Sequence, residues 1–325
     1  MARNTYRGYT RVETDQTLLT RLLPILAVLG LGVAIRKTRL LDAAGVRALK
    51  TVVTRITLPF VIFRAFYAVD YTRDTLVTAL TVFALCVALF ALGFALRKRL
   101  RLTPLLPFTL AGFEMGMLGF PLFLLLAGQE RMGSIAVADL GQEVFVFTVY
   151  LFLLRRQTGA EKPLGEALRE IAVNPVIIAV VLGLVVGISG LGRAMAGTLA
   201  GDAVDAVCGF VGAPTAVLIL LGIGYDLKIT GGLLNRVGLA LAVRLGAVAL
   251  LGGAAALLLF QLIPYDPWLL LALLLMFSLP APFILPVYSQ SGEEADFVSA
   301  YLSLGTLALV GLFAVLLAVK PLIVP

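Results

Sequence analysis

The sequence predicts an all-α polytopic membrane protein of about ten transmembrane helices, arranged as two inverted five-helix repeats with spans four and nine broken. Three observations predict it. Of 325 residues, 60% are hydrophobic and only 14% charged, whereas soluble domains run near 45–50% apolar and about 25% charged. Apolar runs long enough to cross a bilayer follow one another almost without pause, about 20 residues being needed for each. In each half one run is interrupted: FEMGMLGFPLF from Phe113 to Phe123, and FSLPAPFILPVYSQ from Phe277 to Gln290.

Taken in order, the expected spans are 18–36, 44–67, 75–96, 104–127, 133–155, 174–191, 203–225, 237–262, 267–289 and 297–320. Residues 1–155 then form the first five-helix repeat, 156–173 a charged connecting loop, and 174–325 the second repeat. No room is left for a separate soluble domain. The polar stretch 1–16 has neither an apolar core nor a small-residue cleavage site and reads as no signal peptide. The connections at 36–39, 97–101, 155–169 and 228–236 hold most of the loop Arg and Lys, while the opposite connections hold single charges such as Arg73, Arg131 and Arg193. The positive-inside rule puts the first set in the cytoplasm and both termini outside. Arg3, Arg7 and Arg11 run against that rule at a distance from the first span. The expected location is a bacterial inner membrane, crossed many times.

The net charge of +7 would suggest nucleic acid in a soluble protein. Here the basic residues cluster in short loops and read as topology signals, so no nucleic-acid partner is expected. The two cysteines, Cys86 and Cys208, lie in apolar runs and are expected to pack as small hydrophobes. The chain contains no histidine, which removes His metal sites and a Ser-His-Asp triad. No Walker motif appears, so ATP is not the expected driver. No nucleophile–base pair or metal cluster stands out, so neither an enzyme nor a cofactor is expected.

The halves echo each other. PILAVLGLGVAI from Pro24 is matched by PVIIAVVLGLVVGI from Pro175, Pro59 by Pro214, and Pro121 by Pro280, in the same order. Five spans per half force the second half to insert upside down. Such inverted repeats support alternating access around a central site, and paired interrupted spans point to that site. Gly116, Gly119 and Pro121 are expected to interrupt the first run, and Pro280, Pro282 and Pro286 the second. Backbone groups freed there must face protein or water, since lipid offers no hydrogen bond.

Several segments together resemble the auxin efflux carrier family, which includes plant PIN carriers and bacterial organic-anion transporters. They are RITLPFVIFRAF (Arg55 to Phe66), GMLGFPL (Gly116 to Leu122), DLGQEVFVFT (Asp139 to Thr148), NPVIIAVVLGL (Asn174 to Leu184), Leu279-Pro280-Ala281 and Ser303 to Thr306. The similarity covers nearly the whole chain and rests on the order and spacing of motifs that are weak singly. It departs at Glu114, where the family often has a small polar residue or Asn. The resemblance implies that the broken spans four and nine cross. It also implies a scaffold of spans one, two, six and seven beside a mobile unit of spans three to five and eight to ten, sliding as an elevator. By analogy such scaffolds are often homodimers.

The expected substrate site is lined by Glu114, Met115, Gly116, Gly119 and Pro121 from the first break, Leu279, Pro280, Ala281 and Pro282 from the second, and Gln142. Half-helix N-termini expose N–H groups and a partial positive charge that receive a carboxylate directly. Tyr288, Ser289 and Gln290 are further polar candidates, and Phe113, Phe120, Phe277 and Phe283 are expected to pack. Glu114, a carboxylate at membrane depth, must face a cavity or a partner and suits proton coupling. Asp139 and Glu143 lie one helical turn apart. Either they hold a proton or a cation together, or Asp139 sits near the watery end and Glu143 pairs with a cation such as Arg244. Arg244 is a candidate for binding an anion or for ion pairing, and Arg64 for snorkelling or structural pairing. The acidic loop at Glu293, Glu294 and Asp296 has no basic neighbour in sequence and is expected to be solvated. The function these readings favour is a secondary carrier of small organic anions, such as carboxylates, driven by H+ or by the membrane potential. A sodium-coupled symporter of the bile-acid type is the alternative.

Overall fold

The computed structural model describes residues 23–159, 165, 166, 169, 172–227, 231–289 and 292–324. The expectations for 1–16, including Arg3, Arg7 and Arg11, and for Gln290 fall outside those residues. The described chain is all α. Six helices are long and apolar enough to cross a membrane: Arg73–Leu100, Leu106–Ala127, Gln129–Thr158, Leu199–Asp226, Leu234–Leu262 and Gly292–Ile323. The chain is thus a multi-pass helical membrane protein by the length and apolarity of its helices. Shorter helical stretches cover 23–38, Ala43–Val52 continuing to Leu58–Tyr67, Pro175–Ile188 and Pro267–Ser278. Pro175–Ile188 is shorter than the expected 174–191, because Asn174 caps its start at Val176 N and Gly190 turns the chain at φ +74°.

Large apolar side chains face outward, Phe210, Leu250 and Leu257 among them, as a lipid-facing surface requires. Between helices, small residues let backbones approach. A methyl group on Gly141 would stand 1.9 Å from the carbonyl oxygen of Ala79. Gly32 and Gly224 lie in a similar contact between the 23–38 helix and Thr215–Asp226. Cys86 and Cys208 are buried free thiols, packed as expected.

Two packing sets emerge. In one, Leu58–Tyr67 lies against Pro175–Ile188 and Leu199–Gly212, and Ala43–Val52 against Thr215–Asp226. In the other, Arg73–Leu100 packs on Met132–Phe145 and Leu106–Leu110, and Gly292–Ile323 packs on Pro267–Ser278 and Leu234–Ala247. The interrupted segments stand where the sets meet: Met115–Gly119 touches both Leu58–Tyr67 and Thr215–Asp226.

Two expectations need correction. The first interruption lies at 111–114, ahead of the predicted breakers. Gly116 and Gly119 belong to a wide π-helical turn, Met115–Gly119, and Pro121 sits in the first turn of Phe120–Ala127. Proline is tolerated there because that turn's N–H groups lack helical partners anyway. Gly112 is the residue that turns the chain, at φ +73°. The second interruption, 279–284, does contain Pro280 and Pro282, while Pro286 opens the short helix Leu285–Tyr288. The expected acidic loop is instead the start of the helix Gly292–Ile323, and it has a basic neighbour: Arg236 forms an ion pair with Glu293, brought beside it by the packing of Leu234–Ala247 on that helix.

Candidate functional site

The two interruptions meet, and several of the backbone groups they free find partners there. The Glu114 N–H donates to the Pro280 carbonyl at 3.0 Å. The Glu114 carboxylate accepts from Met117 N at 3.1 Å through one oxygen and from Phe283 N through the other. One side chain therefore caps the helix that follows the first interruption and ties it to the second. The Phe113 N–H donates to Gln142 Oε1 at 2.9 Å. Three carbonyls converge on Arg244, those of Thr109 and Gly112 at 2.8 Å and of Leu279 at 3.1 Å. Its guanidinium also lies 5.1 Å from the Phe113 ring centre. Tyr301 donates to the same Thr109 carbonyl at 2.7 Å, and Tyr150 to Phe108 O at 2.9 Å. Gly112 lies so close to the second interruption that a Cβ there would stand 2.9 Å from Pro282 Cγ.

Arg244 is 1% exposed and its fork is occupied by carbonyls, so the ion pair with Glu143 is not formed. Five N–H donors in a fixed plane suit three convergent carbonyls as well as they suit a carboxylate. Asp139 is not at a watery end either: it is 2% exposed and accepts from Gln142 Nε2 at 3.3 Å. Gln142 thus bridges Asp139 to the first interruption. Arg64 pairs with Asp205 at 2.7 Å, and Tyr67 donates to the same oxygen at 2.6 Å. Tyr288 accepts from Arg155 Nε at 2.9 Å.

Two cavities flank the place where the interruptions meet. The larger, about 630 Å³, is lined by Glu114, Met115, Gly116, Gln142, Glu143 and Pro282, and also by Arg55. The smaller, about 430 Å³, is lined by Ser303, Thr306 and the ion pair of Lys50 with Asp226. Met117 and Phe283 border both, so the joined interruptions form the wall between them. Of the predicted residues, Gly119, Pro121, Leu279, Pro280 and Ala281 are packed in the wall and do not line the larger space. Gly119 is held between Met115 and Leu279, where a Cβ would meet both at 3.0–3.1 Å.

Sequence reasoning missed Gly112, Lys50, Arg55 and Asp226, and gave Phe283 only a packing role, whereas its backbone N–H donates to Glu114. Lys50 and Arg55 carried a usable signal, being charges inside the expected span 44–67. Wide helical turns mark the larger cavity too: Val53–Thr57 brings Thr54 and Arg55 to it, and Val146–Tyr150 brings Val146 and Phe147. Such turns recur at functional positions in helices. No known family model matches the chain, and no curated protein is detectably similar to it.

Proposed function

We propose that the chain is a secondary carrier of small organic anions, carboxylates first among them, with proton coupling through Glu114. The observation that carries this reading is the double acceptance by Glu114, whose carboxylate takes N–H groups from both interrupted segments at the wall of the 630 Å³ cavity. Those N–H groups are the anion site that broken helices offer. Glu114 fills it with an internal anion. A substrate carboxylate arriving in the cavity competes with Glu114 for Met117 N and Phe283 N, and like charges oppose the exchange. Protonation of Glu114 removes that opposition and weakens its hold on the N–H groups, so one proton accompanies one anion. Arg55, in the same lining, supplies positive charge to the cavity.

In this reading the ten helical stretches form two inverted repeats with crossed spans four and nine, as the likeness to auxin efflux carriers implies. The two packing sets support a division into a scaffold and a moving unit, and the crossing at their junction suits elevator-type movement. The protein would work in a bacterial inner membrane with both termini outside.

The test is uptake of a panel of labelled mono- and dicarboxylates into proteoliposomes, under an inward proton gradient and, separately, a sodium gradient. Accumulation of one carboxylate class driven by protons and lost in Glu114→Gln supports the reading. Accumulation that needs sodium moves the assignment to a sodium symporter. An unchanged pH dependence in Glu114→Gln removes the proton role.

A further inference from the structure

Away from the joined interruptions, a cavity of about 510 Å³ is lined by Arg97, Lys98, Arg101 and Arg236 together with the apolar Leu102 and Pro104, with no acidic residue in its lining among the described residues. Local rules explain part of this charge. Arg97 and Lys98 end the Arg73–Leu100 helix, where the partial negative charge of the C-terminus favours cations. Arg101 follows as its cap at φ +50°. Arg236 is held there instead by its ion pair with Glu293 and by the Leu102 carbonyl. It lies in the first turn of Leu234–Ala247, the end where a cation is disfavoured, and it reaches the cavity from a distant part of the sequence. A topology signal needs only the number of basic residues near span ends. It does not need two helix ends to gather four cations around one space, which repulsion opposes.

The local contacts hold this arrangement open. Arg236 spans Glu293 and the Leu102 carbonyl. Arg97 donates to Gln157 Oε1 at 3.3 Å and stands 5.3 Å from the centre of the Phe94 ring. Phe94 is itself 38% exposed on a membrane-length helix. No hydrogen bond or ion pair engages the side chains of Lys98 and Arg101 among the described residues. A cationic cup at the end of a membrane-spanning helix, with an exposed aromatic ring one turn deeper, has the chemistry of a phosphate joined to an acyl chain.

We propose that this cavity binds the phosphate of an anionic phospholipid headgroup, with Arg97, Lys98 and Arg101 on the phosphate and Phe94 along the first part of the chain. The proposal is independent of the transported solute.

The experiment is native mass spectrometry and thermal unfolding of the detergent-purified full chain, with phosphatidylglycerol, phosphatidylcholine or inorganic phosphate added. The wild type is expected to retain one phosphatidylglycerol in preference to phosphatidylcholine and to gain thermal stability from it. Arg97→Gln with Arg101→Gln is expected to weaken retention about fivefold per cation removed, the factor matching roughly 1 kcal/mol for each basic residue near an anionic lipid surface. Should that variant fail to fold, Arg97→Lys with Arg101→Lys keeps the topology charge and loses the planar fork, so a smaller loss of retention is expected. Equal retention of the two lipids overturns the proposal, as does undiminished phosphatidylglycerol binding in both double variants. Stabilisation by inorganic phosphate that phosphatidylglycerol does not exceed assigns the cavity to free phosphate and overturns the lipid source.

Discussion

The two interruptions are built by opposite means. The second uses Pro280 and Pro282, which have no backbone N–H and so leave fewer donors to satisfy. The first uses Gly112, which turns the chain but keeps every donor. Its loop therefore needs partners from outside: Gln142 for Phe113 N, and Pro280 O for Glu114 N. The acceptors of both segments are drawn to one cation, Arg244. The proline break has fewer donors to place, its Phe283 N–H going to Glu114, whereas the glycine break also recruits Gln142 and so gathers Glu114, Gln142 and Asp139 into one place.

That comparison can be broken most directly at Arg244. Arg244→Met leaves the buried Gly112 and Leu279 carbonyls without their donor, while the Thr109 carbonyl keeps Tyr301, and each buried unsatisfied group costs about 1–3 kcal/mol. We expect a loss of folded protein on size-exclusion chromatography, or the largest fall in unfolding temperature of the series. Gly112→Ala comes next, forcing a left-handed residue with Cβ 2.9 Å from Pro282 Cγ. Strain and overpacking of about 2–4 kcal/mol follow, and the double substitution with Pro282→Ala should recover the overpacking share. Gln142→Leu should cost about 1–3 kcal/mol by orphaning Phe113 N. An equally large cost from Pro280→Ala would contradict the contrast drawn between the two interruptions.

Glu114→Gln sharpens the functional side. The amide oxygen still accepts from one N–H but cannot accept from both, so stability should fall by about 1–3 kcal/mol, as for Gln142→Leu, while the pH dependence of uptake disappears. Lys50→Gln should have the smallest effect on stability. Its ion pair with Asp226 is partly exposed, with side chains 26% and 55% accessible, and such pairs contribute about 0–1 kcal/mol. A transport defect larger than that stability change would make Lys50 part of the smaller cavity's chemistry.

Much of the architecture was legible in the residues. Apolar runs marked the membrane helices, and Pro280 with Pro282 marked one interruption correctly. The other was misplaced by a few residues because Gly116, Gly119 and Pro121 look like breakers in sequence. A wide turn absorbs the first two, and a helix's opening turn tolerates the third. Gly112, the actual turning point, looks like any other glycine, since nothing local announces a positive φ.

By itself the sequence determined that this chain is helical, membrane-embedded and punctuated twice, because transfer free energy and backbone propensity are properties of each segment alone. Only the tertiary structure decided where the buried charges go. Arg244 reaches carbonyls 135, 132 and 35 residues away, and Glu114 reaches Phe283 across 169. In a medium without water a buried polar group takes whichever partner the packing brings to it, and that partner is set by how helices cross, which no local pattern records.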